Sequence, residues 1–442
     1  MDSKTVRTLG VWMNGERVGS WIEQVRQQQM FIYDNSWASS PSARPISLSL
    51  PLISSDGLYT GSDVENFFNN LLPDSADIRR RIQRRFGCPS DSAFDLLTEI
   101  GRDCVGALQF LPQDQEPMNV HTIEAKPLAD AEIARYIRGV TNDVVPGASF
   151  EESFRISLAG AQEKTAFLFH DGSWCIPLGT TPTSHIFKLP LGRIGAMQAD
   201  MSASIENEWL CLQILDAFGL SVAKTEIASF EDQKVLVVER FDRRYAPDGT
   251  WLMRIPQEDL CQATGTPPSK KYETEGGPGI PAILDVLLGS HESLHDRKRF
   301  LKAQILFWLL AAPDGHAKNF SIFLEQQGRF TLTPVYDVMS VYPILGHGRE
   351  KLPPEKLRMA MAVQGSSRHY EWAKIQRRHW ETTGRICGSR MSIDEVMEEV
   401  IRDTPQVIQK VTEKLPQHFP EYIADSIFTG LETMINKCHK SE

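Results

Sequence analysis

Near the N-terminus, apolar and polar residues alternate on either side of Asn14-Gly15, in TLGVWMNGERVGSW. Alternation with period two around an Asn-Gly pair predicts a β-hairpin, because the tightest hairpin turn needs two residues that tolerate positive φ. ARPISLSLPL (43–52) reads as a second extended stretch. The period then lengthens in DVENFFNNLL and SADIRRRIQRRFG, which predicts helices, the second with Ile78 and Ile82 turned inward and its arginines solvated. Strand-like segments return in FRISLAG, KTAFLFHDGSWCIPL, SHIFKLPL and KVLVVERFDRR, with HDGSW as a hairpin turn. One helix, SIENEWLCLQILDAFGL, interrupts them, and Gly219 stops it.

Past residue 244 the pattern is mostly helical. DRKRFLKAQILFWLLAA is apolar on every side over its second half, as a buried helix is. SIDEVMEEVIRDTPQVIQKVTEKL opens with Ser392 and Glu395 at capping-box spacing. RFTLTPVYDV (329–338) is a strand-like exception and carries Asp337. The chain therefore divides into a mixed α/β module (1–148), a β-rich core (149–244) and a helical part (245–442), an α+β organisation without internal repeats.

Composition narrows the class. The chain has 442 residues, 41% hydrophobic and 24% charged, with a formal net charge of −10. That balance fits a globular protein and argues against wholesale coating of nucleic acid. Two local basic stretches stand out, IRRRIQRR (78–85) and RHYEWAKIQRRHW (368–380). The N-terminus carries no apolar signal region, and no apolar run approaches the ~18 residues of a membrane span. The seven cysteines are scattered without CxxC spacing. They favour neither zinc nor a disulfide framework, and a reducing, cytoplasmic compartment is expected.

The chemistry concentrates after the buried helix. PDGHAKNF (313–320) places Asp314, His316, Lys318 and Asn319 within six positions. Asp314 and Asn319 have the D-x4-N spacing of a protein-kinase catalytic loop, where the acid is the base and the amide oxygen holds a metal. Phosphoryl transfer also needs a cation on the phosphates, a second oxygen ligand and a backbone cradle. Lys188 in HIFKLP, Asp337 in TPVYDV and the small residues of SLAGAQEKT (157–165) supply candidates. Glu208, on the interrupting helix, is a candidate ion-pair partner for Lys188. The cradle is not a Walker A loop, because the second glycine before Lys164-Thr165 is missing.

These blocks occur in order with NEWLCLQILDAFGLSV, VVERFDRR, RIPQEDLCQATG, KYETEGGPGI, LPDSADIRRRI and LLTEIGRDCVGAL. Together they resemble the HipA family of serine/threonine kinase toxins over nearly the whole chain. The resemblance implies a two-lobed, divergent protein-kinase-like fold that uses ATP and Mg²⁺. It implies a small helix-turn-helix antitoxin of the HipB type as partner and operator DNA bound through that complex. The implied protein substrate belongs to the translation machinery, glutamyl-tRNA synthetase being the family's example. Carried over by position, Asp314 is the base, with His316 and Lys318 beside it, and Asn319 and Asp337 hold Mg²⁺. Lys188 contacts phosphate, and Ala159, Gly160, Ala161, Gln162, Glu163 and Lys164 cover it. Glu239, Arg240 and Phe241 form the hinge, whose backbone meets adenine. Ser157 matches the serine that the family autophosphorylates. Phosphate there would add about −2 charge to a loop built to approach phosphates, so repulsion should eject the loop and switch the enzyme off. A C-lobe region of the family touches DNA, which makes Arg368, Lys374, Arg377 and Arg378 candidate contacts. Two departures are His316, where eukaryotic kinases carry lysine, and Pro313, where a small polar residue is expected.

Blander alternatives accompany these readings. Asp314-Gly315 alone is an ordinary turn pair, and Lys188 alone a solvated strand lysine. Ser157 alone is a strand-edge hydroxyl, and Asn319-Phe320-Ser321 a formal glycosylation sequon. The basic stretches alone are solvated faces, and QADMSASIE (198–206) is a substrate-docking loop or a linker. A catalytically weak co-repressor bridging antitoxin on DNA is the rival from another class, and a small-molecule kinase is a third reading.

Overall fold

The computed structural model describes residues 6–24, 28–52, 57–140, 157–160, 162–195, 197–387 and 393–439. The chain divides into two interleaved units. One holds Met1–Leu189, Ala228–Ser269 and Ile322–Phe330, the other Pro190–Ile227, Lys270–Ser321 and Thr331–Glu442. Each unit is thus assembled from three separate stretches of sequence. The helix Ser204–Ala217 goes with the later helices, and 245–269 goes with the β-rich part. The 148/149 boundary lies outside the described residues.

The first unit opens with the expected hairpin. Arg7–Met13 and Glu16–Glu23 pair antiparallel, and Asn14 (φ 47°) and Gly15 (φ 88°) make the turn. The Asn14 amide also accepts the N–H of Arg254 (2.9 Å) and donates to its carbonyl (2.8 Å). These strands belong to a five-stranded antiparallel sheet in the order Leu58–Thr60, Gln29–Tyr33, Glu16–Glu23, Arg7–Met13, Leu108–Pro112. Helices Ser62–Asn70, Ala76–Phe86 and Ala93–Ile100 accompany it. Trp21 stacks on Phe68 at 3.9 Å between ring centroids, inside a core that includes Phe31, Phe94 and Phe110. In Ala76–Phe86, Ile82 and Phe86 pack on that core as half-buried residues.

Residues 43–52 are not a strand. Only the isolated bridge Ser47–Leu50 forms. Side chains take the backbone groups that a ladder would have used: the Tyr33 hydroxyl accepts the Ile46 N–H (2.7 Å) and the Glu258 carboxyl accepts the Leu48 N–H (2.8 Å).

A six-stranded sheet follows in this unit. Its order is the strand ending at Phe230, then Gln233–Glu239, His185–Lys188, Lys164–His170, Ser173–Pro177 and Ala125–Pro127. Asp171 and Gly172 turn the expected HDGSW hairpin with φ of 48° and 74°. Phe167, Phe187 and Phe230 fill its core with Ile133 and Ile137 of the helix Asp130–Val140.

The second unit is mainly helical, around Ser293–Leu309, whose last ten residues are all buried. Trp308 and Trp372 exchange indole N–H to carbonyl bonds, at 3.4 and 2.8 Å. Ile393–Thr412 carries the expected helix, although Ser392 of its capping box lies outside the described residues. Residues 198–206 are neither loop nor linker. Ala199–Met201 pairs with Gly192–Ile194 and packs on Ile344, and the helix Ser204–Ala217 starts next. The strand expected over 329–338 is confined to Phe330–Leu332, so Asp337 follows it in irregular chain.

Candidate active site

The catalytic-loop candidates are placed by the end of the buried helix. Ala311 takes a left-handed φ of 47°, its N–H returns to Trp308 (3.2 Å), and the Ala312 N–H returns to Phe307 (2.8 Å). This paired return closes the helix and turns the chain out of it, with alanine where glycine is usual. Pro313 comes next, suited to a position that must not continue a helix, and its carbonyl accepts the Ala360 N–H (2.9 Å). Gly315 is required by close approach: a Cβ there would sit 2.5 Å from the Phe307 ring.

The loop beyond is a tight lattice. The N–H of His316 bonds the Asp314 carbonyl (2.9 Å), and the Asn319 N–H bonds the His316 carbonyl (2.9 Å). The Asn319 side-chain NH₂ donates to the Asp314 carbonyl (2.7 Å), which leaves its Oδ1, the atom a hard cation needs, directed away from that bond. Lys318 and His316 are buried, whereas the Asp314 side chain is 53% exposed. Oδ1 of Asp314 accepts the Tyr272 hydroxyl (2.5 Å) and lies 3.7 Å from Nε2 of His316.

Asp337 has a left-handed φ of 60°. Its neighbour Tyr336 donates to the Lys318 carbonyl (2.9 Å) and shares a bond with Ser321 (2.6 Å). One tyrosine thus ties the Asp337 segment to the chain beside Asn319. Among the described residues no three His, Cys, Asp or Glu side chains gather as a metal cluster. An amide oxygen and a carboxylate, completed by water and phosphate oxygens, fit Mg²⁺, which dehydrates reluctantly and seldom takes an all-protein cage.

The nucleotide candidates lie in the first unit. Lys188 is 6% exposed on a central strand, opposite Lys164 on one side and Leu236 on the other. That burial sets aside the solvated-lysine alternative. Glu208, fully buried on Ser204–Ala217, belongs to the second unit. Within the loop, Gly160 has φ 106° and its carbonyl accepts the Asp74 N–H (3.1 Å). The Lys164 ammonium donates to the Ala159 carbonyl (2.7 Å), Gln162 Nε2 donates to the Leu189 carbonyl (2.5 Å), and Glu163 pairs with Arg81. Arg81 is therefore not the plain solvated arginine expected of IRRRIQRR. Ala161 lies outside the described residues. Ser157 is 0% exposed: its Oγ donates to the Leu71 carbonyl (2.8 Å) and its N–H to the Asp103 carbonyl (3.1 Å).

The hinge reading needs one correction. Arg240 is buried, and its guanidinium is consumed by Asp103 (3.2 Å), Thr183 (2.9 Å), the Cys104 carbonyl (2.8 Å) and Asp242 (2.8 and 3.0 Å). Its N–H bonds Ser184 (2.9 Å) and its carbonyl accepts the Arg243 N–H (3.1 Å). Both backbone groups are thus already used within the protein. Arg243 joins the cluster through Asp103 (2.8 Å) and Gly106 (2.8 Å), and Arg254 lies 3.4 Å from Asp103. Burial alone would raise the Asp103 carboxyl, but the guanidiniums of Arg243, Arg240 and Arg254 hold it far below the usual carboxylate range.

Of the four candidate DNA contacts, Arg377 is 11% exposed and held by Glu398 (2.7 Å), Asp394 (3.2 Å) and Glu381 (3.7 Å). Arg368, Lys374 and Arg378 are exposed, the first two beside Glu273 and Glu371. Sequence reading assigned no role to Tyr272, Asp103 or Tyr336. The signals were present: an aromatic residue beside paired glycines in KYETEGGPG, and an acid in GRDC matched by the arginines of ERFDRR.

Comparison with known proteins agrees with this architecture. The HipA-like C-terminal domain matches residues 156–409 and the HipA N-terminal domain residues 9–111. The protein named "Putative kinase Y4mE" of Sinorhizobium fredii is 32% identical, over 95% of this chain and 97% of its own length. The serine/threonine-protein kinase toxin HipA of Shewanella oneidensis is 27% identical over 70% of this chain and 69% of that protein. A chain in the solved complex of HipA, HipB and operator DNA from Shewanella oneidensis MR-1 superposes with a TM-score of 0.77 at 22% identity, covering 98% of this chain and 97% of that one. The fold is that of the HipA chain in that complex. The chain belongs to the HipA family. No helix among the described residues is long and apolar enough to cross a membrane.

Proposed function

We propose that this chain is an ATP- and Mg²⁺-dependent serine/threonine protein kinase, the toxin of a toxin–antitoxin module. The observation that carries this reading is the catalytic loop. It fixes the Asn319 amide by its nitrogen, frees the oxygen, and leaves only the Asp314 carboxylate open among buried neighbours. Asp314 takes the proton from an acceptor hydroxyl as that oxygen bonds the γ-phosphorus and the bond to the ADP oxygen breaks. Asn319 and Asp337 would hold Mg²⁺, which neutralises charge on the phosphates. Lys188 meets a phosphate oxygen. Ala159 to Lys164 close over the phosphates, and Glu239 and Phe241 present backbone groups to adenine.

The acceptor is a protein of the translation machinery such as glutamyl-tRNA synthetase. Ser157 is a second acceptor, reached only when its loop leaves the buried position in which Oγ is bonded to Leu71. The partner is a small helix-turn-helix antitoxin, with operator DNA engaged through that complex, and the exposed cations Arg368, Lys374 and Arg378 are the C-lobe residues open to phosphate. Incubation with labelled ATP, Mg²⁺ and glutamyl-tRNA synthetase should label the synthetase, and Asp314→Asn should reduce labelling at least a hundredfold. Labelling of neither synthetase nor self by the wild type would sink the kinase reading and leave the co-repressor.

A further inference from the structure

The segment KYETEGGPGI, residues 271–280, is folded around glycines that admit no side chain. A Cβ on Gly277 would lie 2.1 Å from the Lys270 carbonyl oxygen, and one on Gly279 would lie 2.3 Å from the Glu273 carboxyl carbon. Gly276, at φ 98°, closes the single 3-10 turn Glu273–Glu275. The Tyr272 carbonyl accepts two N–H bonds, from Glu275 (3.0 Å) and Gly277 (3.0 Å). The Glu273 carboxylate anchors the turn to the strand Arg358–Gln364 by accepting the Ala362 N–H (2.7 Å), with Arg368 at 3.5 Å. Together these contacts fix the backbone of Tyr272 at its carbonyl and at the residue that follows.

Its side chain then reaches the catalytic loop. The hydroxyl donates to Oδ1 of Asp314 at 2.5 Å, and the ring meets His316 edge-on, 5.0 Å between centroids at 85°. A carboxylate that is 53% exposed has water competing for it, so this bond adds little to folding. Orientation is another matter: a base free to rotate spends most of its time away from the reacting proton.

We infer that Tyr272 is a positioning residue for phosphoryl transfer: its hydroxyl holds Oδ1 of Asp314 so that Oδ2 faces the acceptor hydroxyl. The inference rests on Asp314 being the base. It explains why a rigid, glycine-dependent turn stands opposite the loop, with an acid and a strand N–H to brace it.

The test is steady-state transfer from ATP to glutamyl-tRNA synthetase by the full chain, comparing Tyr272→Phe and Tyr272→Ala. Phenylalanine keeps the ring against His316 and loses only the O–H. Both variants should lose roughly tenfold in kcat, with KM for ATP within twofold of wild type. The ring alone is at work, and the inference fails, if Tyr272→Phe matches wild type while Tyr272→Ala does not. It fails equally if Tyr272→Phe is faster, since the tether would then block the base, or if KM for ATP rises in step with the loss of kcat, since the distortion would then be general. Asp314→Asn separates this from the underlying reading. Full activity in Asp314→Asn removes Asp314 as base and the inference with it, whereas its inactivity beside a normal Tyr272→Phe removes the inference alone.

Discussion

The first unit buries two aspartates, Asp103 and Asp242, among three arginines, Arg240, Arg243 and Arg254. The second unit surrounds another aspartate, Asp314, with Tyr272 and His316 and leaves it half open. The ingredients overlap, but the outcomes differ. In the first cluster each guanidinium faces a carboxylate or a carbonyl. Its charges face one another inside the protein, and what they provide is geometry: the carboxylate of Asp103 holds Arg240 while its carbonyl holds Ser157. In the second, one oxygen is tethered and the rest of the carboxylate faces outward. Charge paired inside the protein sets shape, and charge left facing out is available for chemistry.

The largest expected effect breaks the first cluster. Asp103→Asn removes the negative charge that three guanidiniums face and should cost about 3–5 kcal/mol of stability, the usual penalty for leaving buried charge uncompensated. Denaturant unfolding measures it, with Asp314→Asn as the counterpart expected within about 0.5 kcal/mol of wild type because its carboxylate is open to water. Equal and small losses for the two would mean that the buried cluster has no special hold on the fold.

Another buried acid sharpens the contrast because it forms no ion pair among the described residues. Glu258 has 0% exposure, and its Oε2 lacks a hydrogen-bond partner among the described residues. Burial pushes its carboxyl up to about 8, against the opposing effect of bonds from Ser47 and the Leu48 N–H. The folded chain therefore keeps this proton up to about pH 8, while an unfolded glutamate releases it near the ordinary value of 4.5. The stability this group contributes is complete below the unfolded value and is lost as pH rises through the folded one. Asp103 has the opposite sign: its contribution is present at neutral pH and is lost on acidification below the unfolded value of 3.8. Unfolding measured at pH 5 and pH 8 should show a decline of about 2–4 kcal/mol attributable to Glu258. Glu258→Gln should flatten it, and an unchanged slope in that variant would assign the decline elsewhere.

How much of this was legible in the sequence follows from range. Asn14-Gly15, Asp171-Gly172 and the buried helix before Pro313 are local signals, and each lies where its pattern puts it. The spacing of Asp314 and Asn319 was equally local, though it did not say that the amide nitrogen would be fixed and the oxygen freed. The failures were long-range. Residues 43–52 look like a strand, but Tyr33, 13 positions from Ile46, and Glu258, 210 positions from Leu48, take N–H groups from them. The buried cluster around Arg240 was not visible because its partner Asp103 lies 137 positions earlier. Tyr272 was invisible for the same reason: its partner Asp314 is 42 positions later.

Adjacent arginines on one helix repeat the comparison on a small scale. Arg377 and Arg378 both open Arg377–Ile386 and look interchangeable in the sequence. Arg377 is spent on Glu398, Asp394 and Glu381, whereas Arg378 is exposed. A phosphate contact releases counterions, and its removal lowers the salt slope of log K by about 1. In the proposed antitoxin–operator complex, Arg378→Ala should produce that drop and leave unfolding within about 0.5 kcal/mol of wild type. Arg377→Ala should do the reverse, keeping the slope and losing about 1 kcal/mol, since a partly exposed network of pairs is worth only that much. Titrations of operator binding at several salt concentrations, beside denaturant melts, measure both quantities. If Arg377→Ala lowers the slope and Arg378→Ala does not, internal pairing has failed to predict which charge reaches the phosphate. The division between charges that set shape and charges that meet a ligand would then break at the residue pair where it is drawn most finely.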